Sequence, residues 1–253
     1  MDFGIKGKRA LVCAASKGLG FGCAEALAAE GVDLVINARS EGPLAAAAKD
    51  LRTRFGVNVQ AVAGDITSAE GREKALDALG GAADILVNNA GGPPPGMWTD
   101  WARDDFISAV DANMLAPIAL IQALVPGMME RGWGRVVNIT SMAVKAPIPV
   151  LGLSNSARAG LTGFVAGTSR QVAGQGVTIN NLLPGIHATD RAVALDGAAA
   201  DTAGITPQEA KAAREATIPA GRYGTAQEFG ALCAFLCSEK AGFIVGQHIL
   251  LDG

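Results

Sequence analysis

Short runs of consecutive apolar residues alternate along this chain with longer segments whose apolar positions recur every three or four residues. The short runs predict buried strands at Arg9–Cys13, Asp33–Ala38, Asn58–Ala63, Asp84–Val87, Arg135–Ile139, Val177–Leu183 and His248–Leu251. The longer segments predict helices at Leu19–Glu30, Pro43–Phe55, Ser68–Leu79, Trp101 to about Arg131, Leu151–Ala173 and Ala226–Ser238. Gly31 is placed to end the first helix and Ser68 to cap the third. Gly91–Gly96 reads GGPPPG and must be a loop. The Ala-rich segment 188–217 is weakly patterned and is expected to form a mobile lid.

Strands that are apolar throughout, each followed by a helix, predict a parallel sheet buried on both faces. The expected architecture is one α/β domain over residues 1–253: a Rossmann fold with a doubly wound parallel seven-stranded sheet. Its length and its 49% hydrophobic content suit one continuous core. In such a sheet ligands bind beyond the carboxyl ends of the strands. The loops beginning near Ala14, Arg39, Asp65, Asn88, Ser141 and Pro184 are therefore the ones to read for chemistry.

The net charge of −3 and the lack of any basic run argue against a nucleic-acid partner. No uninterrupted apolar stretch reaches membrane-spanning length and no signal segment is evident, so a cytoplasmic protein with no membrane association is expected. Cys13, Cys23, Cys233 and Cys237 form no C-x-x-C pair and read as buried reduced thiols; with two histidines, no zinc set is expected. Asn138-Ile139-Thr140 matches a glycosylation sequon but lies in a predicted buried strand.

The first turn, Cys13-Ala14-Ala15-Ser16-Lys17-Gly18-Leu19-Gly20, joins a strand to a helix. Gly18 and Gly20 let backbone approach a pyrophosphate, and the helix N-terminus offers free N–H groups to it. NAD sites carry an acid at the end of the second strand for the ribose hydroxyls. Here that position has Asn37-Ala38-Arg39-Ser40, with Arg39 suited to a 2′-phosphate and Lys17 able to join it. NADP(H) is favoured over NAD(H), which stays possible.

With these motifs the chain resembles the short-chain dehydrogenase/reductase (SDR) family nearly end to end, and within it the 3-oxoacyl-carrier-protein-reductase-like members. The turn is similar to the family's T-G-x-x-x-G-x-G, with Cys13 and Ala14 at the Thr and first Gly positions. Asp65-Ile66 resembles its adenine-side pair, Asn88-Asn89-Ala90-Gly91 its N-N-A-G, and Gly134 to Ser141 its fifth strand with the catalytic Ser. Asn180 to Gly185 resembles its N-x-x-x-P-G, and Gly221-Arg222-Tyr223-Gly224 and Val245 to Gly253 its C-terminal pattern. The resemblance implies cofactor contacts from Ala14, Ser16, Lys17, Gly18, Leu19, Gly20, Arg39, Asp65, Ile66, Asn89, Ala90, Gly91, Arg158, Pro184, Gly185, Ile186 and Thr189. It implies catalytic positions at Asn113, Ser141, Ser154 and Arg158, a small-molecule substrate, and a homotetramer or homodimer.

The family's chemistry uses a Tyr thirteen residues after the Ser and a Lys four beyond that Tyr. Counting from Ser141 gives Ser154 and Arg158, and the only tyrosine is Tyr223, far from this helix in sequence. An aliphatic hydroxyl is a far weaker acid than a phenol and is shorter by a ring. Three readings follow: a reductase with another proton route, through water, His187 or Lys145; an SDR-fold lyase or aldolase-like enzyme that stabilises an oxyanion with Ser141 and Arg158; or a silent dinucleotide-binding protein. A lone histidine is more often structural, so His187 carries both readings. Met97, Trp98 and Trp101 either line a substrate mouth or pack the helix that follows.

Overall fold

The computed structural model describes residues 2–253. Seven strands form one sheet: β1 (Arg9–Val12), β2 (Asp33–Ala38), β3 (Val59–Ala63), β4 (Ile85–Asn88), β5 (Gly134–Ile139), β6 (Val177–Pro184) and β7 (His248–Leu251). They lie in the order β3-β2-β1-β4-β5-β6-β7, and every neighbouring pair is parallel. The chain runs outward from β1 to β3 and then restarts at β4 on the other side of β1. The crevice beyond the ends of β1 and β4 is the topological switch point where such folds hold ligands.

Alternate residues of each strand serve two separate cores, as a two-residue side-chain period requires. Ala10, Val12, Leu34, Ile36, Val87, Val137 and Leu182 face α1 (Gly18–Ala29), α2 (Glu41–Phe55) and α9 (Ala226–Leu236). Leu11, Val35, Leu86, Val136 and Ile179 face α3 (Ala69–Ala78), α5 (Ala116–Glu130) and α6 (Gly152–Val172). The helices α1 and α9 touch backbone to backbone, because a Cβ on Gly22 would lie 2.2 Å from Ala226 O and one on Gly230 2.1 Å from Gly22 O.

The predicted helix at 101–131 is α4 (Arg103–Val110) and α5 joined by a π-helical turn, Asp111–Leu115. The 28-residue stretch Arg103–Glu130 is long and apolar enough to cross a membrane by length and composition. Here it is a core helix: Leu120, Ile121, Leu124, Val125 and Met128 are buried against the sheet. The segment 188–217 holds two helices, α7 (Asp190–Ala203) and α8 (Pro207–Glu215). Each begins at a threonine, with Thr189 accepting from Ala192 N, and Thr206 and Glu209 forming a reciprocal capping box. All four cysteines are buried and unpaired. Asn138 is fully buried, so the sequon is part of the core.

Candidate active site

The glycine turn is built on backbone. Cys13 N donates to Val87 O at 3.0 Å and Ala15 N to Asn37 O at 2.9 Å, which ties the turn to both neighbours of β1. Between them Ala14 has φ +49°, the one non-glycine residue with positive φ among the described residues. That left-handed conformation is strained for an L-residue with a Cβ. Gly20 faces this strained residue: a Cβ there would meet Ala14 O at 2.3 Å and Asn89 Nδ2 at 2.9 Å.

At the start of α1, Lys17 is the N-cap residue, no side chain caps the helix, and the first turn has no acid. Uncapped N–H groups and the positive end of the helix dipole are what a pyrophosphate requires, so these residues fit a dinucleotide. The Thr189 side chain lies over Gly18, 3.6 Å from where its Cβ would be, and the exposed Lys17 ammonium pairs with Asp190. Ser16 and Leu19 are half-buried beside this turn.

Arg39 stands exposed past the end of β2 and has no hydrogen bond or ion pair among the described residues. Its charge acts on Asp65, whose carboxylate accepts from Thr67 N at 3.0 Å and Thr67 Oγ1 at 2.8 Å. Those bonds, with Arg39 contributing less, hold Asp65 below the usual carboxylate range. Ile66 is buried in the core next to it. Asn89 and Ala90 are half-buried and Gly91 exposed beyond β4.

On α6, Ser154 and Arg158 lie one turn apart, and Arg158 Nε donates to Ser154 Oγ at 3.2 Å. Arg158 Nη1 also donates to Ile139 O at 2.9 Å. Arg158 is 8% exposed as a whole and no carboxylate pairs with its guanidinium. Burial, and then the charge of Arg191, pushes its pKa down to about 10. Ser141, at the end of β5, accepts from Ala143 N at 3.1 Å.

Asn113 lies in the π turn, 4% exposed; its Nδ2 donates to Ala109 O at 3.3 Å and its Oδ1 is unpartnered. A cavity of about 10 Å³ joins Asn113 to Asn88, Asn89, Asn138 and Arg158. A cavity of that size is at the lower limit of what admits one water.

His187 is 5% exposed and packs edge-on to Phe229 of α9, with ring centroids 5.3 Å apart. Its Nδ1 lies 3.3 Å from Gly185 O, and a Cβ on Gly224 would sit 2.7 Å from its Cδ2. Burial lowers its pKa. These are the surroundings of a packed, neutral imidazole. Tyr223 is also committed: it is buried and donates to Asp196 Oδ1 at 2.8 Å, while Asp196 pairs with Arg214 at 2.9 Å. Burial, followed by the bond to Asp196, pushes its pKa up to about 12. Lys145 is exposed at the end of the turn following Ser141.

At the end of β6, Pro184 and the following Gly185 are half-buried, and Ile186 packs on Ala192, Ile218 and Tyr223. Arg191, which the sequence did not single out, donates to Gly92 O at 3.3 Å and Pro93 O at 3.5 Å, joining α7 to the proline loop. That loop also bonds the segment before α6 through Gly96 N and Val150 O at 2.9 Å. Trp98 is 80% exposed, and Met97, Val150 and Val193 of these same elements are exposed too, whereas Trp101 packs on α6 against Leu153 and Ala157.

A family model described as "Enoyl-(Acyl carrier protein) reductase" matches residues 13–253. The 3-oxoacyl-[acyl-carrier-protein] reductase of Vibrio harveyi is 33% identical across 98% of this chain and 97% of that protein. The acetoacetyl-CoA reductase of Cupriavidus necator is 30% identical across 93% of each. Among solved structures, L-sorbose reductase from Gluconobacter frateurii, complexed with NADPH and L-sorbose, superposes with a TM-score of 0.95 at 30% identity, covering 100% of this chain and 98% of that one. A 3-oxoacyl (acyl-carrier-protein) reductase from Agrobacterium tumefaciens with NADP bound gives a TM-score of 0.89 at 29% identity, covering 100% and 95%.

Proposed function

The chain belongs to the short-chain dehydrogenase/reductase family, and from that premise we propose that it is an NADP(H)-dependent reductase of a small carbonyl substrate with an unusual proton route. The observation that carries this reading is the uncapped, acid-free start of α1, flanked by an unpaired Arg39 where an NAD site would place an acid. NADPH, when bound, supplies the hydride. Arg39 and Lys17 would hold its 2′-phosphate, the start of α1 its pyrophosphate, Asp65 and Ile66 its adenine, and Arg158 its nicotinamide ribose. Asn89 to Gly91, Pro184 to Ile186 and Thr189 would enclose the rest. Relatives solved with NADPH or NADP support this choice.

The two serines would act on the substrate oxygen. Ser154 Oγ accepts from Arg158, and Ser141 Oγ accepts from Ala143 N, so both hydroxyl hydrogens are free to donate. Two such donors suit an oxygen that gains negative charge. A serine hydroxyl cannot readily surrender its proton near neutral pH, so the proton would come from water held at the Ser154 end. His187 and Tyr223 are too occupied by packing and hydrogen bonds to favour either as donor.

The same donor set would also serve a lyase-type reaction that passes through an oxyanion. Calorimetry with NADPH and NADH, beside a panel of ketones and 3-oxoacyl thioesters, separates the readings. The reductase reading expects tight NADPH binding and substrate-dependent loss of 340 nm absorbance. Turnover without cofactor oxidation selects the lyase, and tight binding with no turnover the silent binder. We place the protein in the cytoplasm, in keeping with its four buried free thiols. Helices α7 and α8 would form the lid, since Thr189, Asp190 and Arg191 touch the glycine turn and proline loop. Exposed Phe106, Ile107 and Leu115 on the long helix favour a homodimer or homotetramer, which light scattering would resolve.

A further inference from the structure

Strands β4, β5 and β6 carry asparagines at register-paired positions: Asn88 opposite Asn138, and Asn138 opposite Asn181. Edge strand β7 places His248 opposite Asn181. Partners in register share a face, so the four side chains form a row across the sheet, one strand spacing of about 4.8 Å apart. The row is hydrogen-bonded throughout. Asn88 Nδ2 donates to Asn138 Oδ1 at 2.8 Å, Asn138 Nδ2 to Asn181 Oδ1 at 3.1 Å, and Asn181 Nδ2 faces His248 Nδ1 at 2.9 Å. The three asparagines are buried and His248 is half-buried.

This row has a direction, because every amide donates toward β7. An amide donor facing Nδ1 requires Nδ1 to accept, which makes His248 neutral with its proton on Nε2. At the other end Asn88 Oδ1 is buried and has no protein partner. It belongs to the cavity that also holds Asn113 and Arg158, the polar heart of the candidate site.

We propose that His248 is a positioning residue for this site, acting through Asn181 and Asn138 to set which atom Asn88 presents beside Arg158. The inference rests on the cofactor-binding reading above. With the imidazole neutral, Asn88 turns its carbonyl oxygen to the cavity and the guanidinium. With the imidazole protonated, Nδ1 becomes a donor and opposes the donor on Asn181. Rotating the Asn181 amide removes that clash but transfers it to Asn138, and then to Asn88. The reversal ends only at the cavity, where Asn88 would present its NH2 group next to a cation and to the unpartnered Asn113 Oδ1.

The charges around His248 reinforce the neutral state. Strand β6 carries no ionisable side chain, α6 above it carries Arg158 and Arg170, and Lys145 acts on His248 from the turn after β5. Burial, and then Lys145, lowers its pKa below the ordinary 6.5. The row is therefore set as drawn at pH 7 and reverses on the acid side.

Two histidines in the chain make the imidazole NMR spectrum simple, and loss of a signal in His248→Asn assigns it. In the full-length protein, Asn138→Ala frees the Asn181 amide and is expected to raise the His248 pKa by about half a pH unit or more. Asn88→Ala, three strands away, should move it in the same direction and serves if Asn138→Ala fails to fold. A His248 pKa unchanged to within about 0.1 in either folded variant overturns the proposal, since exchange of a neutral group so far away has little direct electrostatic effect. A second readout is NADPH affinity, by fluorescence, between pH 5 and 8. Wild type should weaken about threefold or more relative to His248→Asn on passing below the His248 pKa. The Asn side chain does not titrate and can offer its carbonyl to Asn181 at every pH, so it should keep the forward row, and titration of the cofactor phosphate is common to both proteins. Parallel affinity profiles overturn the proposed link to the site. If neither protein binds NADPH at any pH, the cofactor reading fails, and the imidazole titration still decides the amide row.

Discussion

Arg158→Met is expected to separate stability from function. Arg158 is a nearly buried cation with no acid beside it, and its pKa falls from the ordinary 12.5 to about 10, burial being the larger cause and Arg191 the smaller. At about 1.4 kcal/mol per pH unit, that drop corresponds to a folded-state penalty of ~3 kcal/mol for the charged form. The sign is that of a depressed base: the penalty is fully present below pH 10 and disappears only as the unfolded arginine also deprotonates. Methionine fills similar volume without the charge. The substitution removes the donors to Ser154 Oγ and Ile139 O; the serine hydroxyl keeps its own hydrogen to donate, so the Ile139 carbonyl is the acceptor left unpaired, at a cost of about 1–3 kcal/mol. The net expectation is a stability between unchanged and about 2 kcal/mol higher in urea denaturation, with an unaltered m-value. NADPH affinity should fall about tenfold or more, and carbonyl turnover should drop with it, as when a functional residue is held at the expense of stability. A loss of about 3 kcal/mol with unchanged NADPH affinity would refute this reasoning and make Arg158 a structural residue like Arg135, whose guanidinium is satisfied by the carbonyls of Gly134, Gly176 and Ser238.

Other expectations follow from three single residues and one residue pair. Ala14→Gly relieves a left-handed alanine, about 1–2 kcal/mol, against a chain-entropy loss of about 0.4–1; Tm should rise by about 2 °C, and a fall would show that the turn is not strained as described. Arg39→Asp should invert the coenzyme preference, weakening NADPH about a hundredfold while NADH holds or improves, as calorimetry would read. Restoring the family pair by Ser154→Tyr with Arg158→Lys should raise ketone reduction measured at 340 nm, because the surrounding donors are in place; no gain with intact NADPH binding would show that the rest of the site has diverged. Tyr223→Phe should lower stability by about 1–2 kcal/mol, since it strips a buried bond from Asp196, yet leave kcat nearly unchanged.

The sheet was legible because its strands are continuous apolar runs bounded by turn residues, a pattern that a buried parallel sheet imposes. Counting thirteen and four residues from Ser141 located Ser154 and Arg158, and the helix does bring their side chains together. Helices α7 and α8 were missed because alanine gives no apolar period, although Thr206-x-x-Glu209 was a capping signal in plain view. The π turn at Asn113 has no sequence period of its own. The amide row was invisible for another reason: Asn88, Asn138, Asn181 and His248 lie far apart in the chain, and only strand register makes them neighbours. Likewise His187 stands in a loop beside the expected nicotinamide site, and only packing reveals that Phe229 and Gly224 enclose it.

The most direct test of the account is to follow deuterium from NADPH labelled at C4 during turnover of a ketone substrate. Wild type is expected to deliver the label to the carbinol carbon of the alcohol product, with one NADPH oxidised per alcohol formed. Product formed without label and without NADPH oxidation would contradict it and make the chain an SDR-fold enzyme of a different reaction class.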